Sequence, residues 1–432
     1  MITSCIRFKA PTARRLERGV PLVLGFILVL VTRSVAAETF CVGTESELEA
    51  ALTNAESNGT SDYILLQSGT YTGDFSFESF QHHPVTIRGG YNSDCSARVD
   101  DPNNTVLDSL GAGTVLSLYQ HAGGGVSVEG LTIQNGSYNG LWIRLVNEYS
   151  DSSIDSIHLI HNVIKDCRNK TGVSIASKPG DTSSAGNILI YDNVIQGFTG
   201  EFEAITVLAE WALPGASLVF RNNIIAGNVS TSSDAGLSVT NSGTGNIYLT
   251  NNTIVDNESS GPLGGLAGGL SAWVGSALYA YNNIIYGNVS ANGPGDIWLF
   301  YLDGTGVGTA YSNIYTDIDG SWDVEGANMS LDPGFVGPGF WHDNGTVGDP
   351  TDDYWVWGDY HLGASSPCID AGSDGAPYPG DLPTYDFEGD PRVMDGNGDQ
   401  IATVDIGADE LPLIFADGFE TGNHEAWSDT VP

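Results

Sequence analysis

An Asn followed by two mostly aliphatic residues recurs six times in this chain, at Asn162, Asn193, Asn223, Asn252, Asn283 and Asn313. The successive intervals are 31, 30, 29, 31 and 30 residues. A fixed period of that size means one supersecondary unit stacked on copies of itself, because a single unit cannot bury its own apolar face. Before each Asn the residues alternate apolar and polar, as in Asn246-Ile247-Tyr248-Leu249-Thr250 and Ser217-Leu218-Val219-Phe220-Arg221, the pattern of a half-buried strand. β-Branched and aromatic residues, Gly and Asn fill the repeat where a helix would want Ala, Leu, Glu and Lys, which argues against a helical solenoid. Asn tolerates the left-handed backbone of a sharp corner. Stacked in register, its amide also bonds to the rungs above and below. The six Asn residues are therefore expected to be both corners and a structural ladder.

A further strand per repeat keeps the same register: Leu141-Trp142-Ile143, Val173-Ser174-Ile175, Ile205-Thr206-Val207, Leu237-Ser238-Val239, Leu270-Ser271-Ala272 and Ile297-Trp298-Leu299. Most follow a Gly (Gly140, Gly172, Gly236, Gly269), which suits the turn into the strand. Three short strands and three turns per repeat predict an all-β fold, a right-handed parallel β-helix (solenoid) of about 30-residue coils around an Ile, Val and Leu core. Six rungs at the spacing of paired parallel strands span roughly 25–30 Å. Ahead of them, Glu45 to Glu56 has helical spacing and Ala/Leu/Glu composition. A short N-terminal capping helix there would cover the unpaired edges of the first coil.

Ile64-Leu65-Leu66-Gln67-Ser68-Gly69-Thr70-Tyr71, Thr86-Ile87-Arg88-Gly89-Gly90-Tyr91 and Thr105-Val106-Leu107-Asp108 resemble the first coils of bacterial right-handed parallel β-helix proteins of the pectate-lyase-like superfamily. With the Asn rungs, the resemblance covers about residues 40–330. It implies the fold and assigns no activity, since that superfamily includes lyases, hydrolases, adhesins and proteins with no evident reaction. Further on, Asp359-Tyr360-His361-Leu362, Ser366-Pro367-Cys368-Ile369-Asp370-Ala371-Gly372, Gly389-Asp390-Pro391-Arg392 and Val404-Asp405-Ile406-Gly407-Ala408-Asp409-Glu410 resemble the ending of choice-of-anchor Q domain proteins. That likeness implies export and display on a bacterial surface.

The compartment follows from other residues. Residues 1–37 hold Arg7, Lys9, Arg14, Arg15 and Arg18, an apolar run from Val20 to Val31, and Val35-Ala36-Ala37, which reads as a secretory signal peptide. The run is too short to span a membrane. Residues 38–330 are then the β-helix, 331–413 a C-terminal region and 414–432 a tag-like tail. Removal of the leader leaves Cys41, Cys95, Cys167 and Cys368, an even number in an exported chain. Cys41–Cys95 would staple the capping helix to the first coils and Cys167–Cys368 would pin the C-terminal region, although spacing alone leaves three pairings open. Nine basic residues then face 52 acidic ones, a net charge of −43. Such a surface repels nucleic acid and favours cations. An anionic polysaccharide would need Ca²⁺ as a bridge, and a monomer is expected.

Outward residues of the further strand form two columns. The first holds Trp142, Ser174, Thr206, Ser238, Ser271 and Trp298; the second holds Arg144, Ala176, Leu208, Thr240, Trp273 and Phe300. Hydroxyls edged by aromatics suit sugar rings, whose apolar sides stack on aromatic faces, so Trp142, Trp273 and Trp298 are the candidate carbohydrate-binding residues. Lyase chemistry needs a cation to neutralise the uronate carboxylate and a base for the α-proton. Glycosidase chemistry needs two carboxylates at a defined separation. The nearest catalytic candidates are Arg144, His158 and His161, and Glu201, Glu203 and Glu210 beside Trp211. In the tail, Asp395-Gly396-Asn397-Gly398-Asp399, with Asp405 beyond it, alternates oxygen donors as a Ca²⁺ loop does. The expectation is a secreted or cell-surface protein that binds carbohydrate or another surface. Its alternatives are a polysaccharide lyase or glycoside hydrolase, and a structural spacer.

Overall fold

The computed structural model describes residues 37–147, 154–178, 186–209, 216–261, 267–304, 306–346, 352–373 and 382–412. The expected leader up to residue 36, the tail-end tag, Glu210 and Trp211 lie outside the described residues. Among the described residues the strands form three long parallel stacks of eleven, nine and eight strands, with a fourth stack of five two-residue strands. Each coil passes once through every long stack, so the chain is a parallel β-helix. The coil around Asn223 shows the order: Ser217–Arg221 in the eleven-stranded stack, Ile224–Ala226 in the eight-stranded one, Val229–Ser230 in the short one and Leu237–Asn241 in the nine-stranded one. The short fourth strand refines the expected three per coil.

Inward residues from all three long stacks close one apolar core that runs from Val42 to Ala310. At its N-terminal end the helix α1 (Glu45–Ala55) is capped by Thr44, whose hydroxyl accepts from Glu47 N. It turns Leu48, Ala51, Leu52 and Ala55 into that core. No described helix is long and apolar enough to cross a membrane.

The six repeating Asn residues are buried to 1% exposure or less. In each, Nδ2 donates to Oδ1 of the next Asn, at 3.0 Å from Asn162 to Asn193 and 2.9 Å from Asn252 to Asn283. That same Oδ1 also accepts the backbone N–H of the donor residue, as from Asn162 at 3.0 Å. The series continues past Asn313 to Asn328, at 3.1 Å. A second ladder runs parallel: Asn228 donates to Asn257 at 2.8 Å, Asn257 to Asn288 at 2.9 Å, and Asn288 to Asp296 at 3.1 Å. The corner role falls elsewhere than expected. Positive φ belongs to the residue before each ladder Asn, namely His161, Asp192, Asn222, Asn251, Asn282 and Ser312. The ladder Asn itself needs its side chain aimed inward along the stack, and the left-handed residue before it makes the bend that permits this.

Among the described residues of 332–412 there are two antiparallel strand pairs, Phe335–Gly337 with Asp359–Leu362 and Phe340–His342 with Tyr354–Val356. These residues pack on the outside of the eight-stranded stack, where Ile224, Ala226, Val255, Ile284 and Ile314 meet Tyr360, Leu362, Cys368, Ile406 and Ala408. The indole of Trp355 lies over Gly227 (φ 64°), where an added Cβ would fall 2.1 Å from the ring. Cys41 and Cys95 are joined, as the first of the two expected pairings has it. The second is corrected: Cys167 and Cys368 are both free and buried. Cys167 points into the solenoid core and Cys368 into the layer outside it, so a wall of strands separates the two thiols.

Candidate functional site

The eight-stranded stack is covered by residues 332–412; of the other two long stacks, the eleven-stranded one carries Tyr248 stacked on Tyr279, and the nine-stranded one carries the candidate tryptophans. Its inward positions, such as Leu141, Ile143, Val173, Ile175, Leu237 and Val239, are fully buried. Alternation then turns the intervening residues outward. Backbone pairing places Ser117, Trp142, Ser174, Thr206, Ser238, Ser271 and Trp298 in one column. Tyr119, Arg144, Ala176, Leu208, Thr240, Trp273 and Phe300 form the next. Five strand steps separate Trp142 from Trp298, about 24 Å at the usual spacing.

Aromatic groups gather at the two ends of this strip. At the C-terminal end the ring centroids of Trp273 and Trp298 are 5.0 Å apart, and Phe300 lies 4.9 Å from Trp273 and stacks on Trp298 at 5.7 Å. At the N-terminal end Arg144 sits 5.4 Å over the Tyr119 ring. Tyr119 is 5.8 Å from Trp142 and 3.8 Å from His121, which stacks on Phe80 at 4.1 Å. His121 Nε2 lies 2.8 Å from Glu78 Oε1. Between the clusters run the half-buried Ser174, Thr206, Ser238 and Thr240. Ser271 is wholly buried, with no partner for its hydroxyl, so the accessible hydroxyls of this column end at Ser238, two strands before Trp298.

The remaining candidates are scattered. His158 is on the eleven-stranded stack, between Ser127 and Leu189, and burial lowers its pKa while Glu129 pulls the other way. His161 occupies a corner, with Nδ1 3.1 Å from Asp100 Oδ1. Glu201 is exposed and paired with Lys170. Glu203 alone reaches the strip: it is 8% exposed and accepts hydrogen bonds from Thr206 and Ser233 hydroxyls, each at 2.6 Å. Burial raises its pKa against the pull of those two hydroxyls. Arg144, His158 and His161 therefore stand on different sides of the solenoid. Sequence reading overlooked Glu78, Phe80, Tyr119 and His121, because the first coils lack the spacing that aligns the later ones.

In the Asp395 loop the side chains cap their own backbone. Asp395 Oδ1 accepts from Gly398 N at 2.7 Å and Oδ2 from Gln400 N at 2.8 Å; Asn397 Oδ1 accepts from Asp399 N and Asp399 Oδ1 from Ile401 N. Asp405 is turned away and fully buried, accepting from Asp370 N and Leu411 N. Burial pushes its pKa up to about 6.

Residues 125–265 match a family described as disaggregatase related. That stretch spans the coils from the strand Val126–Glu129 to Glu258–Ser259 and stops short of Trp273 and the C-terminal region. No curated protein matches the chain.

Proposed function

We propose that this chain is an exported, surface-facing β-helix protein that binds a neutral polysaccharide along the nine-stranded face. The observation that carries the reading is the pair of aromatic clusters, Tyr119/Trp142 and Trp273/Trp298/Phe300, set at the two ends of one hydroxyl-bearing strip. Two stacking platforms about 24 Å apart, over hydroxyls on a rigid sheet, suit an extended sugar chain better than a single sugar. The strong negative charge disfavours a polyanion, and the one cation in the two columns, Arg144, is engaged with Tyr119. The finer likeness to pectate-lyase-like and choice-of-anchor Q proteins belongs to the same proposal, as do export and surface display.

Hydrolysis is the weaker reading. Paired carboxylates need to stand about 5–10 Å apart. Across the nine-stranded face the carboxylates in register with the columns are Glu78 at one end and Asp319 at the other. Ca²⁺ enters as a ligand of the Asp395 loop, whose carboxylates would exchange backbone N–H bonds for the ion. A Ca²⁺ titration of Asp395→Asn against the parent chain tests that part.

The main test is retention of residues 38–432 on a panel of neutral and acidic polysaccharides, with the supernatant assayed for new reducing or unsaturated ends. Retention on neutral polymers without new ends is expected. Trp142→Ala and Trp298→Ala should each weaken binding about tenfold, the loss of one stacking contact of about 1.4 kcal/mol. New ends would replace binding by catalysis, and no retention on any polymer would leave the chain as a spacer.

A further inference from the structure

A second group of side chains converges away from the sugar-binding strip, within residues 332–412. His361 projects from the strand Asp359–Leu362, Glu388 from the turn after Asp386, and Asp409 from the last described segment. One ligand atom from each lies within 4.8 Å of the other two. His361 Nδ1 is held by Asp359 Oδ1 at 2.6 Å, which aims Nε2 at Glu388 Oε2, 2.8 Å away. A carboxylate behind one imidazole nitrogen fixes the ring and raises the basicity of the other, an arrangement common to metal-bound histidines. Asp409 is 5% exposed, and its position is set by Leu362 N, which donates to Oδ2 at 2.8 Å.

An independent observation is the local charge. Asp386, Asp405, Asp409 and Glu410 are all buried to 5% exposure or less. The one guanidinium buried with them is Arg392, 3.7 Å from Glu410. Buried carboxylates in excess of their counter-charges are costly, and a divalent ion at this cluster would place two positive charges beside them.

We propose that His361, Glu388 and Asp409 bind one divalent transition-metal ion of the zinc type, with Asp359 as the positioning residue behind the imidazole. One nitrogen and two carboxylate oxygens suit such an ion, whereas Ca²⁺ takes oxygen ligands in larger number. The three ligands come from three segments with little secondary structure joining them, so the ion would staple the C-terminal region, as structural metals do in segments too small for a core of their own. A cleft of about 220 Å³, lined in part by Asp359, His361 and Glu388, adjoins the site and gives access.

The test uses residues 38–432 stripped of metal with a chelator, titrated with Zn²⁺ in a calorimeter and with Co²⁺ in a visible spectrometer. One equivalent should bind with a nitrogen-containing Co²⁺ spectrum, and the thermal midpoint should rise with Zn²⁺. Glu388→Gln changes an exposed side chain and should fold as the parent does, checked by circular dichroism, yet lose the Zn²⁺-dependent rise. His361→Ala should lose the Co²⁺ spectrum, and Asp359→Asn should weaken binding about 10–100-fold. Zn²⁺ binding equal in the parent and Glu388→Gln would overturn the proposal, because a diffuse acidic surface behaves that way. Ca²⁺ binding as tight as Zn²⁺ would overturn it too, as would the absence of any saturable Zn²⁺ binding.

Discussion

Along the first ladder each buried contact copies the one below it, a neutral amide donating to the next at 2.9–3.1 Å. Among the described residues of 332–412 the buried contacts are each made once, and many are charged. Arg392 Nη2 donates to Asn222 Oδ1 at 2.8 Å and Nη1 to the Asp409 carbonyl at 3.1 Å, while Glu410 accepts from Asp405 N at 2.9 Å. A repeated neutral contact spreads stability over every coil. Unique charged contacts concentrate it, so that one lost partner leaves several others uncompensated.

Arg392→Met should break the second arrangement hardest. It leaves Glu410, Asp405 and Asp386 buried without their guanidinium, a loss on the order of 3–5 kcal/mol. Limited proteolysis should then cut within residues 332–412 while the coils stay protected, and simultaneous loss of both regions would mean that they are one cooperative unit. Asn252→Ala strikes the repeated arrangement at one rung. It removes Oδ1 from Asn223 and Nδ2 from Asn283, and the unpaired groups should cost about 3 kcal/mol. A urea midpoint unchanged from the parent would show that water or a neighbouring carbonyl replaces the rung.

The smallest effect concerns Glu203, a buried carboxyl within the coils. Its pKa lies above the ordinary 4.5, chiefly through burial. The folded state therefore holds this proton to higher pH than the unfolded chain, and the group's contribution turns unfavourable as pH rises through the unfolded value toward the folded one. Glu203→Gln should flatten that part of the fall in stability, read from urea midpoints across the same range. Identical slopes in the two proteins would assign the pH dependence to other carboxylates.

Legibility in the sequence divides along the same line. The coils could be read because their contacts repeat: the first ladder follows from the spacing of six Asn residues, and the columns of the nine-stranded face from one strand register. Asn328 escaped because it comes 15 residues after Asn313, where the last coil is cut short. The second ladder was visible as Gly227-Asn228, Asp256-Asn257 and Gly287-Asn288, but its partners look like ordinary turn residues. The docking of the C-terminal region had a local signal as well. Three consecutive corners carry Asn-Asn, at 222–223, 251–252 and 282–283. The second Asn of each enters the ladder and the first reaches outward: Asn222 to Tyr385 O and Arg392, Asn251 to Asp405 O and Gly407 O, Asn282 to Ser373. The convergence of His361, Glu388 and Asp409 had no such signal, since the intervals of 27 and 21 residues between them follow no period and only the folded chain closes them.

Each ladder rung offers one Oδ1 to the coil on one side and one Nδ2–H to the coil on the other, so every graduation of this solenoid is interchangeable with its neighbours. A coil gained or lost whole would leave both ladders continuous and shift one aromatic cluster relative to the other by about 4.8 Å. The molecule is thus a ruler. Its two marks can be moved apart in equal steps without redesign of the bar between them, and under the proposed function the length of polysaccharide it spans would change one strand at a time.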